Sequence, residues 1–68
     1  MEIQVLVGLR IKELRNQLGI SQEELANRAE LDRTYITSVE KGRRNISIGT
    51  LEKITKQLGC TMHEFFNF

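Results

Sequence analysis

Four side chains in one short segment, Arg33, Thr34, Thr37 and Ser38, carry the chemistry that can be read first. On a helix they share one exposed face, because side chains separated by three or four residues stack on the same side. Such a face is short and rich in hydrogen-bonding groups, which suits a helix that enters the major groove of DNA. Arg33, Lys41, Arg43 and Arg44 fall within one twelve-residue stretch, whereas Glu23, Glu24 and Glu30 gather before it. A chain with a formal net charge of only +1 can therefore still present one basic face. Catalysis is not indicated. The chain has no nucleophile–base pair, no glycine-rich phosphate loop and little volume for a pocket, so it does not read as an enzyme. Cys60 and His63 lie three apart, but two ligands do not make a zinc site. Cys60 is assigned to packing and His63 to the surface, and neither a metal nor a cofactor is expected.

The elements that must position this face follow from periodicity and caps. Val7, Ile11, Leu14 and Leu18 recur at helical spacing and stop at Gly19, giving a first helix that begins between Ile3 and Gly8. Ser21 opens a second helix, and Ser21 with Glu24 has the spacing of a capping box. Asp32 caps a third helix that runs through Ile36 and Val39 to Lys41 and ends at Gly42. Ser47 caps a fourth carrying Leu51, Ile54 and Leu58, and Thr61 with Glu64 repeats the capping-box spacing before a short fifth. The second and third helices are joined by a very short turn and need small side chains where they cross. Ala26 and Ala29 supply them, and Leu25, Leu31, Ile36 and Val39 fill the angle between the two helices. No period-two run suggests a sheet.

Sixty-eight residues make one domain, residues 1–68, and a chain this short buries only a modest core. Dimerisation is a common way to add apolar burial. Phe65, Phe66 and Phe68 are too many aromatics for one short helix to bury. Phe65 is assigned to the core, and Phe66 and Phe68 to a self-complementary homodimer interface. One cysteine excludes an intrachain disulfide and fits a reducing, cytoplasmic setting. The longest apolar stretch, Val5 to Val7, is far too short to cross a membrane, and nothing marks export.

From Gly8 to Phe66 the sequence resembles the Cro and phage-repressor family of helix-turn-helix proteins, the XRE family. The resemblance rests on RIKELRNQLGISQEELA, the segment through LDRTYI, then EKGRRN and TLEKITKQLG. LDRTYI with the later RRN is most similar to controller proteins of restriction-modification systems, small dimers that regulate their own gene and the endonuclease gene. The resemblance implies an all-α, five-helix, lambda-repressor-like domain with its helix-turn-helix at the second and third helices. It implies that Arg33, Thr34, Thr37 and Ser38 contact bases. Arg33 leads, because a guanidinium fork can bond guanine O6 and N7 together. Gln22, Tyr35, Arg43, Arg44 and Asn45 are implied to contact the DNA backbone, the last three with reach into the minor groove. Arg15 and Glu40 are implied to form a partly buried ion pair that orients the third helix. Two positions depart from the family pattern: Glu30 stands where the turn usually has glycine, and Ile46 where proline often precedes the fourth helix.

The expected function is that of a transcriptional regulator which binds a pseudo-palindromic double-stranded operator as a homodimer and blocks or recruits RNA polymerase. No membrane and no small-molecule effector is expected. Two alternatives stay open at this point: a phage-type repressor, and an antitoxin-like protein-interaction module whose apolar tail, Phe65 to Phe68, binds a partner.

Overall fold

The computed structural model describes all 68 residues as five helices with no strand. They are α1 (Ile3–Leu18), α2 (Gln22–Ala29), α3 (Arg33–Glu40), α4 (Ile48–Leu58) and α5 (Met62–Phe65). Every helix after the first begins at a polar side chain that satisfies an orphan amide. Ser21 accepts from the Glu24 amide, Asp32 from Thr34, Ser47 from Thr50 and Thr61 from Glu64. The box expected at Ser21 is one-sided. Glu24 turns its carboxylate to Arg28 one turn on, at 3.1 Å, rather than back to the cap. Only Thr61 and Glu64 close a reciprocal box. The third helix ends at Glu40 with Lys41 as its cap, one residue earlier than the sequence pattern indicates.

Val7, Ile11, Leu25, Ala26, Ala29, Ile36, Val39, Leu51, Ile54, Leu58 and Phe65 form one core cluster. It draws on all five helices, so none of them buries its apolar face alone. Ala26 and Ala29 are both buried beside α3, as the short crossing requires. Leu14 and Leu31 are only partly buried, and Leu18 is 49% exposed despite its place in the helical pattern. Leu18 closes the last turn of α1, beyond the reach of the core. Cys60 packs partly against the cluster, and burial pushes its thiol up.

The first helix begins at Ile3, within the expected range, and this places Gly8 well past its start. Gly8 lies inside α1 and is buried. A methyl group at its Cα would sit 2.2 Å from the carbonyl oxygen of Val39 and 3.1 Å from that of Glu40. The backbones of α1 and α3 therefore approach each other directly at this point. Gly42 repeats the device one step on, with φ +73° and Val5 against it. Two glycines thus seat the C-terminal end of α3 on the first turns of α1. A further clamp comes from Arg10, whose Nε donates to the Phe65 carbonyl (2.8 Å) and whose second terminal nitrogen donates to that of Glu64 (3.0 Å). It satisfies the free end of α5 and fixes the C-terminal segment to α1.

Candidate nucleic-acid interface

Glu30, Leu31 and Asp32 make the turn between α2 and α3. Glu30 holds φ 57° and ψ 43°, the left-handed conformation that glycine adopts without penalty. The Leu31 amide then donates back to the Ala26 carbonyl at 2.8 Å and closes the end of α2. The turn therefore keeps the geometry that glycine would give it, with a glutamate carrying the strain. Asp32 follows, and its carboxylate accepts from both the hydroxyl and the amide (2.8 Å) of Thr34. The Thr34 hydroxyl, then its amide, hold the Asp32 carboxyl below its ordinary range, with a smaller contribution from Arg33.

These two turns set which side of α3 faces outward. Ile36, Val39 and Glu40 are buried, so the opposite side presents Thr34 and Ser38, with Arg33 at the leading end. Thr37 and Tyr35 lie on the two flanks. Thr37 is half-buried on the side of α2, where its hydroxyl meets the side chain of Gln22 at 2.7 Å. Tyr35 is half-buried on the other side, and the Arg44 guanidinium lies over its ring at 5.0 Å. The four residues assigned to one face thus divide: Arg33 and Thr34 are exposed, Ser38 is half-buried beside them, and Thr37 is hydrogen-bonded to α2. Gln22, assigned to a DNA phosphate, is engaged inside the protein on both ends of its amide. One of its two N–H groups remains free.

The ion pair lies directly behind. Arg15 donates to Glu40 through Nε (2.7 Å) and a terminal nitrogen (3.0 Å), and its other terminal nitrogen reaches the Ile20 carbonyl at 2.9 Å. Both side chains are buried, and the hydrogen bonds to Glu40 raise the Arg15 pKa against the opposing effect of burial. Two opposed, fully bonded charges here fix the angle between α1 and α3. Losing either partner would leave the other charged group buried alone.

The remaining arginines separate by partner. Arg10, Arg15 and Arg28 are paired with Glu13, Glu40 and Glu24. Arg33, Arg43 and Arg44 have no carboxylate partner, and all three lie at α3 or in the loop after it, where Asn45 is also exposed. The arginines without a carboxylate partner are therefore gathered on the side of the molecule where α3 emerges.

A second surface is apolar. Ile3, Val7, Ile46, Ile48, Leu51 and Phe66 line a groove of about 160 Å³ between α1, the start of α4 and the C-terminal segment. Ile48 is 79% exposed, Ile3 59% and Phe66 42%. Phe68 is 56% exposed and stacks on Phe66 at 6.0 Å, but it lines a separate hollow with Leu6 and Leu9. The aromatic excess noted in the sequence is thus only part of this surface. Ile3 and Ile48 were not singled out by the sequence, because at a helix start an isoleucine gives no periodic signal.

Residues 11–65 match the helix-turn-helix family. The chain belongs to that family. It is 43% identical over 67 residues to the control protein C.MunI of Mycoplasma sp, covering 97% of this chain and 90% of that one. It is 39% identical to the control protein C.BamHI of Bacillus amyloliquefaciens, covering 97% and 83%. Among solved structures it superposes on the restriction-modification controller protein C.AhdI from Aeromonas hydrophila with a TM-score of 0.89, at 41% identity over 93% of this chain and 91% of that one. The controller protein C.Esp1396I, solved as a tetramer in complex with its natural 35 base-pair operator, superposes with a TM-score of 0.90 at 39% identity, covering 97% and 87%. The resemblance read from LDRTYI and RRN is thereby confirmed at the level of fold and family.

Proposed function

We propose that this protein is a restriction-modification controller, a homodimeric transcriptional regulator that acts in the cytoplasm on its own operator and is not an enzyme. The observation that carries the reading is the gathering of Arg33, Arg43 and Arg44, all without acidic partners, around the exposed face of α3. Arg33 at the leading end of α3 reads guanine, and Thr34 and Ser38 read the bases or groove shape beside it. Arg43, Arg44, Asn45, Tyr35 and the free N–H of Gln22 contact the backbone and set the register. Thr37 lies beside this face. The groove around Ile48 and Phe66 covers its counterpart in a second copy, burying apolar surface that a small core cannot. Two copies of α3 then enter successive major grooves, with half-site centres about 34 Å apart. RNA polymerase is blocked or recruited according to which site is filled. No helix is long and apolar enough to cross a membrane.

A gel-shift titration against the upstream region of the protein's own gene, at two salt concentrations, tests this. Wild type forms a complex that outcompetes random DNA. Arg33→Ala lowers the operator preference, and Arg44→Ala weakens every site and flattens the salt slope by about one. Equal binding to operator and random DNA would sink the sequence-specific reading.

A further inference from the structure

Glu40, Gln22 and Thr37 form a chain of hydrogen bonds in which each donor is dictated by its neighbour. The Glu40 carboxylate already binds Arg15 and can only accept, so the Gln22 group facing Glu40 Oε1 at 3.0 Å must be its NH₂. That orients the other end of the Gln22 amide, and the group facing Thr37 must be the carbonyl oxygen. A carbonyl can only accept, so the Thr37 hydroxyl donates to it at 2.7 Å. The sole other acceptor close to that hydroxyl is the Arg33 carbonyl, one turn back at 3.1 Å. Thr37 has a single hydroxyl proton, and both of its acceptors lie within the protein. It therefore has no proton for a phosphate or a base carbonyl, and its hydrogen bond to Gln22 holds it toward α2.

We propose that Gln22 and Thr37 are positioning residues: they tether the flank of α3 to α2 and set the rotation of α3 about its own axis in the groove. The buried Arg15–Glu40 pair fixes the C-terminal turn of α3. The tether fixes the preceding turn from the α2 side, and the two together aim Arg33, Thr34 and Ser38. Thr37 then governs sequence discrimination without reading a base itself. This rests on the reading of α3 as the recognition helix.

The test is a base-by-base affinity profile of the operator half-site, with random DNA as reference, for wild type, Thr37→Val, Thr37→Ser and Gln22→Met. Valine keeps the shape of threonine and removes the hydroxyl; serine keeps the hydroxyl. Thr37→Val is expected to lower operator affinity about three- to tenfold, the loss of one hydrogen bond, and to leave random-DNA affinity unchanged. The loss of discrimination should spread over all the positions that α3 reads. Thr37→Ser should restore the wild-type profile. Gln22→Met combined with Thr37→Val should lose no more operator-over-random preference than either alone, because the backbone contact of Gln22 weakens operator and random DNA alike. Relaxed preference at one base pair only would show that Thr37 reads that base, and an unchanged profile would show that the tether is idle; both overturn the proposal. A strictly additive double variant overturns it as well. Absence of operator preference in wild type would instead overturn the assignment of α3, so the two failures are distinct.

Discussion

Replacing Gly8 with alanine sets two physical effects against each other. By helix propensity alone the change should help, because glycine within a helix costs about 0.5–1 kcal/mol relative to alanine. The tertiary structure reverses the sign. The new methyl would lie 2.2 Å from the Val39 carbonyl oxygen, about 1 Å inside ordinary contact. That oxygen belongs to the backbone of α3, so no side-chain rotation relieves the clash, and α1 and α3 must separate. Overpacking of this kind costs about 1–3 kcal/mol, and separation also stretches the Arg15–Glu40 pair that spans the same two helices. The expected outcome is a net loss of about 1–2 kcal/mol and a fall in Tm of roughly 4–16 °C for a domain of this size. Thermal and urea unfolding followed by circular dichroism would measure it, at a fixed protein concentration because the proposed dimerisation would add stability by mass action. Gly49→Ala is the internal control. Gly49 lies in the first turn of α4 with nothing within 4 Å of the added methyl, so the same substitution there should raise stability by up to about 1 kcal/mol. A Gly8→Ala protein as stable as wild type, or more so, would refute the direct backbone approach of α1 and α3.

Three further outcomes follow from the same geometry. Glu30→Gly should stabilise the protein by about 0.5–1 kcal/mol, because it relieves a left-handed glutamate while adding some freedom to the unfolded chain, and urea unfolding would register it. Ile48→Asp should dissociate the dimer in sedimentation and abolish operator binding at the same concentrations. An acidic residue in the first turn of α4 is compatible with the folded monomer, and a persistent dimer would move the interface elsewhere. In acid, the caps of α3 and α5 should fail together. Asp32 and Glu64 are held below their ordinary values by hydrogen bonds from Thr34 and Thr61, so their contribution is complete above the normal carboxylate range and is lost as pH falls through the lowered values. Asp32→Asn, which caps without titrating, should flatten the fall of stability below about pH 4 in acid-unfolding curves.

On the proposed function, the stability of α3 and its recognition of DNA are supplied by different residues. The core side of the helix, Ile36 and Val39, holds it in place and would do so for any outward sequence. In the proposed function, recognition depends on the charge that is left unpaired at Arg33, Arg43 and Arg44. Arg33 at a helix N-terminus opposes the helix dipole, which is a cost that a purely structural residue would avoid. The same is true of Glu30, a strained residue in the turn that aims α3.

The amino-acid sequence by itself determined the helices, because the signals that set them are local. Ser21, Asp32, Ser47 and Thr61 each bond an amide two or three residues on, and apolar residues three or four apart share a face in any helix. The helix-turn-helix was legible for the same reason, since Ala26 and Ala29 stand close in sequence to the turn they pack beside. Tertiary structure decided whatever depends on residues distant along the chain. Gly8 reads only as a possible start of the first helix until the carbonyl of Val39 is found against it. Gln22 reads only as a residue for phosphate until Glu40 and Thr37 are found to engage both ends of its amide and leave one N–H free. Ile3 and Ile48 are single exposed residues in the sequence and become one apolar surface only when α1 and α4 come together. A spacing rule reaches one or two helical turns, whereas hydrogen bonds and steric contacts act across whatever distance the fold has closed.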